Sequence, residues 1–136
     1  HTKWQSKLNW IDGHETDDVK NEQVPLRHAP PLFGSSAVQW QKNKFAFELN
    51  TQFNGQINSE NLAPSEKVKT AIYAVDKSGK PFCPSWYTIN LKANYNIGKF
   101  QIHLGWENIT NQRYRPYSSG IVAAGSNLVT SLRYSF

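Results

Sequence analysis

The sequence predicts an all-β fold, an antiparallel meander of about six strands. Apolar and polar residues alternate with period two along most of the chain, whereas the 3.6-residue period of amphipathic helices is nearly absent. Short polar turns that contain Asn or Gly alternate with long connectors rich in Pro, Gly, Asp and Ser. Aromatic side chains make up 13% of the residues although the mean hydropathy is −0.63, so the apolar surface is concentrated in a few large rings.

Six segments carry the alternation. In chain order they are residues 3–10, 32–41, 45–55, 87–97, 100–107 and 126–136. In the third segment every Phe and Leu takes an odd position, and every Glu, Gln and Asn takes an even one. Because successive side chains of a strand point to opposite faces, each segment predicts a strand with one apolar and one polar face.

The connectors predict where each strand ends. "QKNK" (41–44) and "NIGK" (96–99) are short enough for hairpins. The other connectors are long, at about 13–31, 55–85 and 110–125, and "TAIYAV" (70–75) predicts a short extra strand inside the second of them. The last segment is expected to remain a strand up to the aromatic Phe136.

Three details favour a membrane sheet over a soluble one. The alternate positions that carry polar residues are strongly hydrophilic, and those that carry apolar residues have aromatics near the strand ends. The strands are about 9–11 residues long, which matches a tilted bilayer span. Short turns on one side and long loops on the other also fit the outer-membrane pattern. A soluble all-β binding module, such as a sandwich for glycans, stays open as an alternative, although it predicts shorter strands and turns of similar size at both ends.

Six strands are too few for the smallest membrane barrels, which have about 8. An open sheet in lipid leaves backbone groups unpaired at its edges, so the chain is expected to be part of a larger barrel or a protomer of a small oligomeric one. The chain begins at His1, contains no Met and shows no signal peptide. These observations favour a piece of a larger barrel, with residues 1–136 as one C-terminal barrel segment.

Composition and motifs argue against several other functions. The net charge is +5, but the basic residues are scattered, so nucleic-acid binding is not expected. No nucleophile elbow, positioned carboxylate pair or Gly-rich phosphate loop is present, so we expect no catalytic residues, no enzyme activity and no cofactor. The single cysteine, Cys83, excludes an internal disulfide.

Two groups of residues contain side chains that can bind metals but lack the pattern of a metal site. The acidic stretch "DGHETDD" (12–18) lacks the twelve-residue calcium-loop pattern, so a solvated loop is the better interpretation. His14, His28 and His103 are separated in sequence, and His103 has the parity of the polar face. We therefore expect neither a metal site nor haem ligation.

Four motifs, taken in order, resemble the C-terminal portion of a TonB-dependent outer-membrane receptor. Residues 24–40 resemble the family's "PLPxxPP" segment and the strand after it. Residues 84–115 resemble its strand, turn and strand followed by an "NLFDKRYR"-like motif, in which Thr110 and Asn111 replace Phe and Asp. "LRYSF" resembles its aromatic terminus, and the loop 73–88 resembles receptors of Bacteroidota.

The resemblance implies a segment of a barrel of about 22 strands with a plugged lumen. It implies import of a metal chelate, haem, cobalamin or a glycan, driven by the inner-membrane TonB complex through a plug domain outside this sequence. Long connectors are then extracellular, while short turns and the C-terminus are periplasmic. The other expected partners are outer-membrane lipid, the rest of the barrel and the outer-membrane assembly machinery.

Two groups of residues are the candidate sites. Arginines bind carboxylate or phosphate groups and tyrosines stack on flat ligands, so the loop candidates for ligand binding are Arg27, Arg113, Tyr114, Arg115 and Tyr117. Bracing of the loop against the barrel rim is the alternative role for Arg113 and Tyr114, and the same alternative applies to Arg27. The resemblance implies that Leu132, Tyr134 and Phe136 form a signal for the assembly machinery, and interfacial anchoring is the alternative for them.

Overall fold

The computed structural model describes residues 1–136 and is built mainly of strands. In chain order these are β1 (Thr2–Asn9), β2 (His14–Asp17), β3 (Glu22–Pro25), β4 (Phe33–Lys42), β5 (Phe45–Asn54), β6 (Ala74–Val75), β7 (Pro81–Phe82), β8 (Trp86–Ile97), β9 (Phe100–Glu107) and β10 (Asn127–Tyr134). A 3₁₀ turn at Ser59–Asn61 and one short helix, α1 (Pro64–Lys67), lie between β5 and β6. Neither helical segment has the length and apolar character that a membrane span requires. The predicted all-β class is confirmed.

Six strands form one antiparallel sheet in the order β1-β4-β5-β8-β9-β10. Neighbours in the sheet are also successive sheet strands along the chain, so the predicted six-stranded meander is confirmed. Strands β5 and β9 match their predicted segments to within one residue. The last strand, predicted to reach Phe136, ends instead at Tyr134, although the Ser135 amide still donates to the Lys99 carbonyl oxygen at 2.9 Å.

The two ends of the sheet differ sharply. Two-residue turns at 43–44 and 98–99 lie at one end, which we call the short-turn end. Asn43 (φ 53°) and Gly98 (φ 56°) take the left-handed conformation that such tight hairpins need. Both chain termini lie there too, since the His1 ammonium group donates to the Gln41 carbonyl oxygen at 3.0 Å. The three long connectors all lie at the opposite, connector end.

The long connectors contain more structure than the sequence predicted. The first holds the hairpin β2–β3, whose turn is closed by the Asp17 carboxylate accepting from the Val19 and Lys20 amides at 2.9 and 3.2 Å. This hairpin was not predicted. The extra strand predicted at 70–75 is confirmed only at Ala74–Val75, where β6 pairs with β7.

Both faces of the sheet are largely exposed, and the side chains that are buried in it are polar. The strand register places apolar side chains in rows across one face, which we call the apolar face; one row reads Trp4, Val38, Leu49, Leu91, Trp106, Leu128. The side chains of this row are exposed, from 41% for Leu91 to 81% for Leu128. On the opposite, polar face, Thr88 and Asn90 are buried. The two faces therefore divide apolar from polar side chains as the alternation predicted.

The sheet is open at both edges. Strand β1 pairs only with β4, and β10 pairs only with β9, so the sheet does not close. Unpaired strand edges of this kind promote association with other strands.

The small hydrophobic core lies in the connectors and not against the sheet. It consists of Ile57, Leu62, Tyr73 and Cys83, with Ile72 and Tyr117 packed against it. An isolated antiparallel bridge between Ile57 and Cys83 ties the start of the 55–85 connector to its end. The connectors therefore form a packed layer on the connector end of the sheet.

Candidate functional site

Side-chain hydrogen bonds run across the polar face of the sheet. Asn90 Nδ2 donates to Asn50 Oδ1 at 2.8 Å, and Asn50 Nδ2 donates to Glu48 Oε1 at 2.8 Å. Gln39 Nε2 donates to Glu48 Oε2 at 2.6 Å, and Lys92 Nζ lies 3.9 Å from Glu48 Oε1. These residues lie two apart along strands and are paired across them, so period-two alternation brings them together on one face. The polar face is thus a hydrogen-bonded surface with few free donors near Glu48.

Asn108 organises the connector between β9 and β10. Its buried side chain donates through Nδ2 to the carbonyl oxygens of Gln112 and Ala124, at 2.9 and 3.0 Å, and accepts from the Gln112 amide at 2.9 Å. Its own amide donates to Asn90 Oδ1 at 2.8 Å. Asn also tolerates the left-handed φ of 47° found here. Asn108 therefore anchors the "NITNQRYR" segment to the polar face.

A cavity of about 590 Å³ opens between the second and third connectors. We call it the connector cavity. Trp86 and Tyr114 lie in its wall with ring centroids 4.0 Å apart and planes at 27°. The lining includes Arg113 and Arg115 but no acidic side chain. Its size is that of small-molecule sites, and its chemistry suits a flat or anionic ligand.

The two arginines of the cavity have different roles. Arg115 Nη1 donates to the carbonyl oxygens of Ala71 and Ile72, at 2.7 and 3.4 Å, so this guanidinium ties two connectors together. Arg113 is exposed and makes no side-chain hydrogen bond or ion pair. The structure therefore gives Arg115 a bracing role and leaves the guanidinium of Arg113 free for a ligand.

Tyr117 lies outside the cavity lining, beside the buried carboxylate of Glu66. Its hydroxyl donates to Glu66 Oε2 at 2.7 Å. His28 Nδ1 lies 3.2 Å from Glu66 Oε1 and 3.1 Å from the Ser118 hydroxyl. Glu66 Oε1 accepts no hydrogen bond in this cluster. This cluster, the Glu66 joint, connects all three long connectors.

Burial and the Glu66 carboxylate shift three nearby acids in the same direction. Burial, aided by Glu66, raises the pKa of Tyr73 to about 12. Burial is the largest cause and the hydrogen bond to Glu66 is the second, and together they raise the pKa of Tyr117 still further. Burial and Glu66 also raise the pKa of Cys83 to about 11. Because the thiolate is the reactive form, Cys83 is an inert, neutral thiol near neutral pH.

The remaining predicted loop residues lie apart from the cavity. Arg27 is exposed on the first connector and lines none of the three main cavities. His103 bonds to Asn94 on the polar face, as its parity predicted. One Asp17 oxygen closes the β2–β3 turn. No three His, Cys, Asp or Glu side chains are grouped closely enough to hold a metal ion.

The predicted terminal residues lie together on the apolar face at the short-turn end. Tyr134 packs on Phe100 with centroids 4.9 Å apart, and Phe136 meets Tyr134 edge-on at 5.3 Å. Leu132 is opposite Ile102 in the same sheet. Phe136 is fully exposed.

Comparison of the chain with protein-family models, curated proteins and solved structures gives no match. Of the predicted loop residues, Arg113, Tyr114 and Arg115 line the cavity, whereas Arg27 and Tyr117 do not, and the prediction did not include Trp86 or Glu66. The aromatic run "SWY" is the signal that could have indicated Trp86. Glu66 has no comparable signal, because "PSEKVK" resembles an ordinary solvated helical turn.

Proposed function

We propose that the chain is the C-terminal β-barrel segment of a TonB-dependent outer-membrane transporter. In this proposal the whole protein imports a scarce, large nutrient, namely a metal chelate, haem, cobalamin or a glycan. A plug domain and the TonB complex supply the energy, and this segment supplies six strands and three extracellular loops. The observation that carries the proposal is the exposed apolar face, which crosses all six strands, while the side chains that are buried in the sheet are polar.

The exposed apolar face supports a lipid-facing wall on energetic grounds. Soluble monomers rarely expose contiguous apolar patches of more than a few hundred Å². Here the apolar rows cross all six strands, while the opposite face carries hydrogen-bonded Asn, Gln, Glu and Lys side chains. A membrane barrel needs this division, because lipid covers the outer wall and water or a plug fills the lumen. The rest of the barrel would pair with the open edges of β1 and β10.

The connector cavity is our candidate for ligand contact. Its wall offers a stacked aromatic pair, Trp86 and Tyr114, beside the free guanidinium of Arg113. In this proposal Arg115 and Tyr117 hold the loops in place, and Arg27 contacts ligand only if the ligand also reaches the first connector. The anionic groups common to metal chelates and haem suit Arg113.

The aromatic end supports the proposed role as an assembly signal. Leu132, Tyr134 and Phe136 lie beside a free β10 edge, which is the geometry that β-augmentation by the assembly machinery needs. Deleting Phe136 from the full-length protein should lower its amount in the outer membrane. The matched control is Ser135→Ala, and an unchanged amount after the deletion would contradict this role.

The lipid-facing wall can be tested with two single-cysteine variants in a Cys83→Ala background. Leu49→Cys places the probe on the apolar face and Gln52→Cys places it on the polar face of the same strand. When the labelled full-length variants are reconstituted into bilayers, a fluorophore at position 49 should be quenched by a nitroxide attached to lipid. A fluorophore at position 52 should be quenched by iodide in the water. Equal quenching by iodide at both positions would favour the soluble module. A gene without a plug domain and about 16 further strands would contradict the transporter assignment.

Ligand contact can be tested by tryptophan fluorescence, because Trp86 lies in the cavity wall. The natural protein should show quenching by a member of a panel of ferric chelates, haem, cobalamin and oligosaccharides. Arg113→Gln should weaken that binding by roughly tenfold or more, as expected for one lost charged hydrogen bond. Lys80→Gln is the matched control in a neighbouring loop. Equal affinities for wild type and Arg113→Gln would remove Arg113 from the site.

A further inference from the structure

The positive charge of the protein is concentrated at one end of the sheet. The row Lys3, Gln39, Glu48, Lys92 crosses the middle of the polar face and divides the molecule. On the short-turn side of this row lie four basic side chains, Lys42, Lys44, Lys99 and Arg133, and no acidic one. On the connector side, nine basic side chains are balanced by nine acidic ones. Nearly the whole net charge of +5 therefore lies at the short-turn end.

Three of these cations lie at the border between the apolar face and the turns. Lys42 has the parity of the apolar face and is opposite Phe45. Lys44 and Lys99 occupy the two hairpin turns, and Lys99 Nζ lies 6.0 Å from the centroid of the Tyr134 ring. All three are exposed and lack an acidic partner. A lysine in this position extends its apolar stem along the wall and its ammonium group outward.

A belt of aromatic rings underlies these lysines on the apolar face. Phe45 stacks on Tyr95 with centroids 4.5 Å apart, and Phe100 packs on Tyr134 at 4.9 Å. Trp40 and Phe47 continue the belt one row deeper, with centroids 5.7 Å apart. Aromatic rings settle at the level of lipid head groups, so the lysines above them would lie beside the head-group phosphates.

We propose that the short-turn end is a binding surface for anionic phospholipids, formed by Lys42, Lys44 and Lys99 above the aromatic belt. The inference rests on the proposed function, because it requires the apolar face to lie in a bilayer. The occupant is the leaflet at the short-turn side, and its recognition is electrostatic. The balanced charges of the connector end give no comparable preference there. The surface would hold a shell of anionic lipid around this part of the wall.

The test measures lipid composition beside the short turns. Ile97→Cys, in the Cys83→Ala background, places a bimane fluorophore on the apolar face next to the second turn. The labelled full-length variant is reconstituted into phosphatidylcholine bilayers with a minor fraction of phosphatidylglycerol. In parallel samples either phosphatidylglycerol or phosphatidylcholine carries a nitroxide near the head group. The ratio of quenching efficiencies reports the local enrichment of the anionic lipid.

We expect phosphatidylglycerol to be enriched by at least about fivefold at low ionic strength, the effect of one lysine beside an anionic surface. The enrichment should fall several-fold in salt because the charges are screened. It should disappear in the triple variant Lys42→Gln, Lys44→Gln, Lys99→Gln and persist when the same three lysines become Arg. The matched control, Lys20→Gln, Lys77→Gln, Lys80→Gln, removes three exposed lysines from the connector end and should keep the enrichment.

The outcomes separate the two proposals. Two results would overturn the anionic-lipid surface and leave the lipid-facing wall intact. One is equal quenching by both lipids, and the other is a preference for phosphatidylglycerol that survives in the glutamine triple variant. Loss of the preference in the connector-end control also overturns it, because the short turns would then have no special role. No quenching by either lipid means that Ile97 does not face a bilayer, and this result overturns the proposed function together with the inference.

Discussion

The sheet and the connector layer bury opposite kinds of side chain. In the sheet, Leu49 and Leu104 are more than half exposed, while Thr88 and Asn90 are buried. In the connectors, Leu62 is fully buried in a small core, and acidic side chains such as Asp17 and Asp76 lie at the surface. Apart from the hydrogen-bonded Glu66 and Asn108, the connector layer thus buries apolar side chains, as proteins in water do. The sheet follows the rule expected for a wall between lipid and a polar interior.

The sheet and the connector layer are stabilised in different ways. Hydrophobic burial stabilises the connector layer, whereas neighbouring strands satisfy the backbone groups of the sheet through continuous pairing. Four experiments, three with substitutions and one with pH, test this contrast.

A charge on the apolar face should have the largest effect. Leu49→Arg places a guanidinium in the middle row of this face, and an arginine at the bilayer midplane costs about 2–4 kcal/mol in a membrane barrel. Gln52→Arg, on the polar face of the same strand, should cost far less. Urea unfolding of the protein in bilayers measures both. Equal losses of unfolding free energy in the two variants would mean that both faces of the sheet contact the same solvent.

Loss of the Asn108 side chain should loosen the third connector without disturbing the sheet. Asn108→Ala leaves the carbonyl oxygens of Gln112 and Ala124 without their donor, and we expect a local loss of about 1–3 kcal/mol. Hydrogen exchange in residues 109–126 should therefore accelerate. Asn108→Gly removes the same side chain but relaxes the positive φ, so exchange should accelerate less. Faster exchange in β8 and β9 as well would show that connector and sheet unfold together.

Removing the Tyr117 hydroxyl should weaken the connector layer by a smaller amount. Tyr117→Phe takes away the donor to the buried Glu66 carboxylate, and adding Glu66→Gln to it should recover part of the loss because the charge is also removed. Hydrogen exchange at 62–73 measures the effect. Tyr87→Phe, on the exposed apolar face, is the control. No difference between the two tyrosine variants would contradict a structural role for the Glu66 joint.

Alkaline pH should affect the connectors before the sheet. The folded state raises the pKa of Cys83 from 9.0 to about 11 and that of Tyr73 from 10.0 to about 12. Their stabilising contribution is therefore complete below about pH 9 and is lost as the pH rises through 11 and 12. Alkylation of Cys83 should be slow at pH 8 and accelerate over this range, while the far-ultraviolet circular dichroism of the sheet stays constant. A parallel loss of the sheet signal would argue against two separate layers.

The sheet could be predicted well from the sequence because the features that determine it, side-chain alternation and turn residues, are local. Side-chain parity fixed the two faces of β5 and β9, and the Asn or Gly of each short turn fixed where the hairpins reverse. The hairpin β2–β3 was missed because its strands, "HETD" and "EQVP", contain one apolar residue between them and show no alternation. Asp17 and Asn21 in its turn were the available signals.

The connector layer could not be predicted, because contacts between distant segments determine it. Glu66 is fully buried, and its carboxylate contacts His28 and Tyr117 from the other two connectors. Arg113 and Arg115 are two residues apart and chemically identical, yet only Arg115 reaches the carbonyl oxygens of Ala71 and Ile72. Sequence spacing gives no information on such partners, so a bracing arginine and a free one look alike until the connectors are folded.

The two-residue turns also have a consequence for the order of folding. Each closes a hairpin. Strands β4 and β5 pair along their whole length, and β8 pairs with β9 over Leu91–Ile97. Hairpins of this kind form in about 1–10 μs, whereas joining β5 to β8 first requires the closure of a loop of some thirty residues. We therefore expect the wall to assemble two strands at a time. The slow step would be the joining of hairpins through their long connectors.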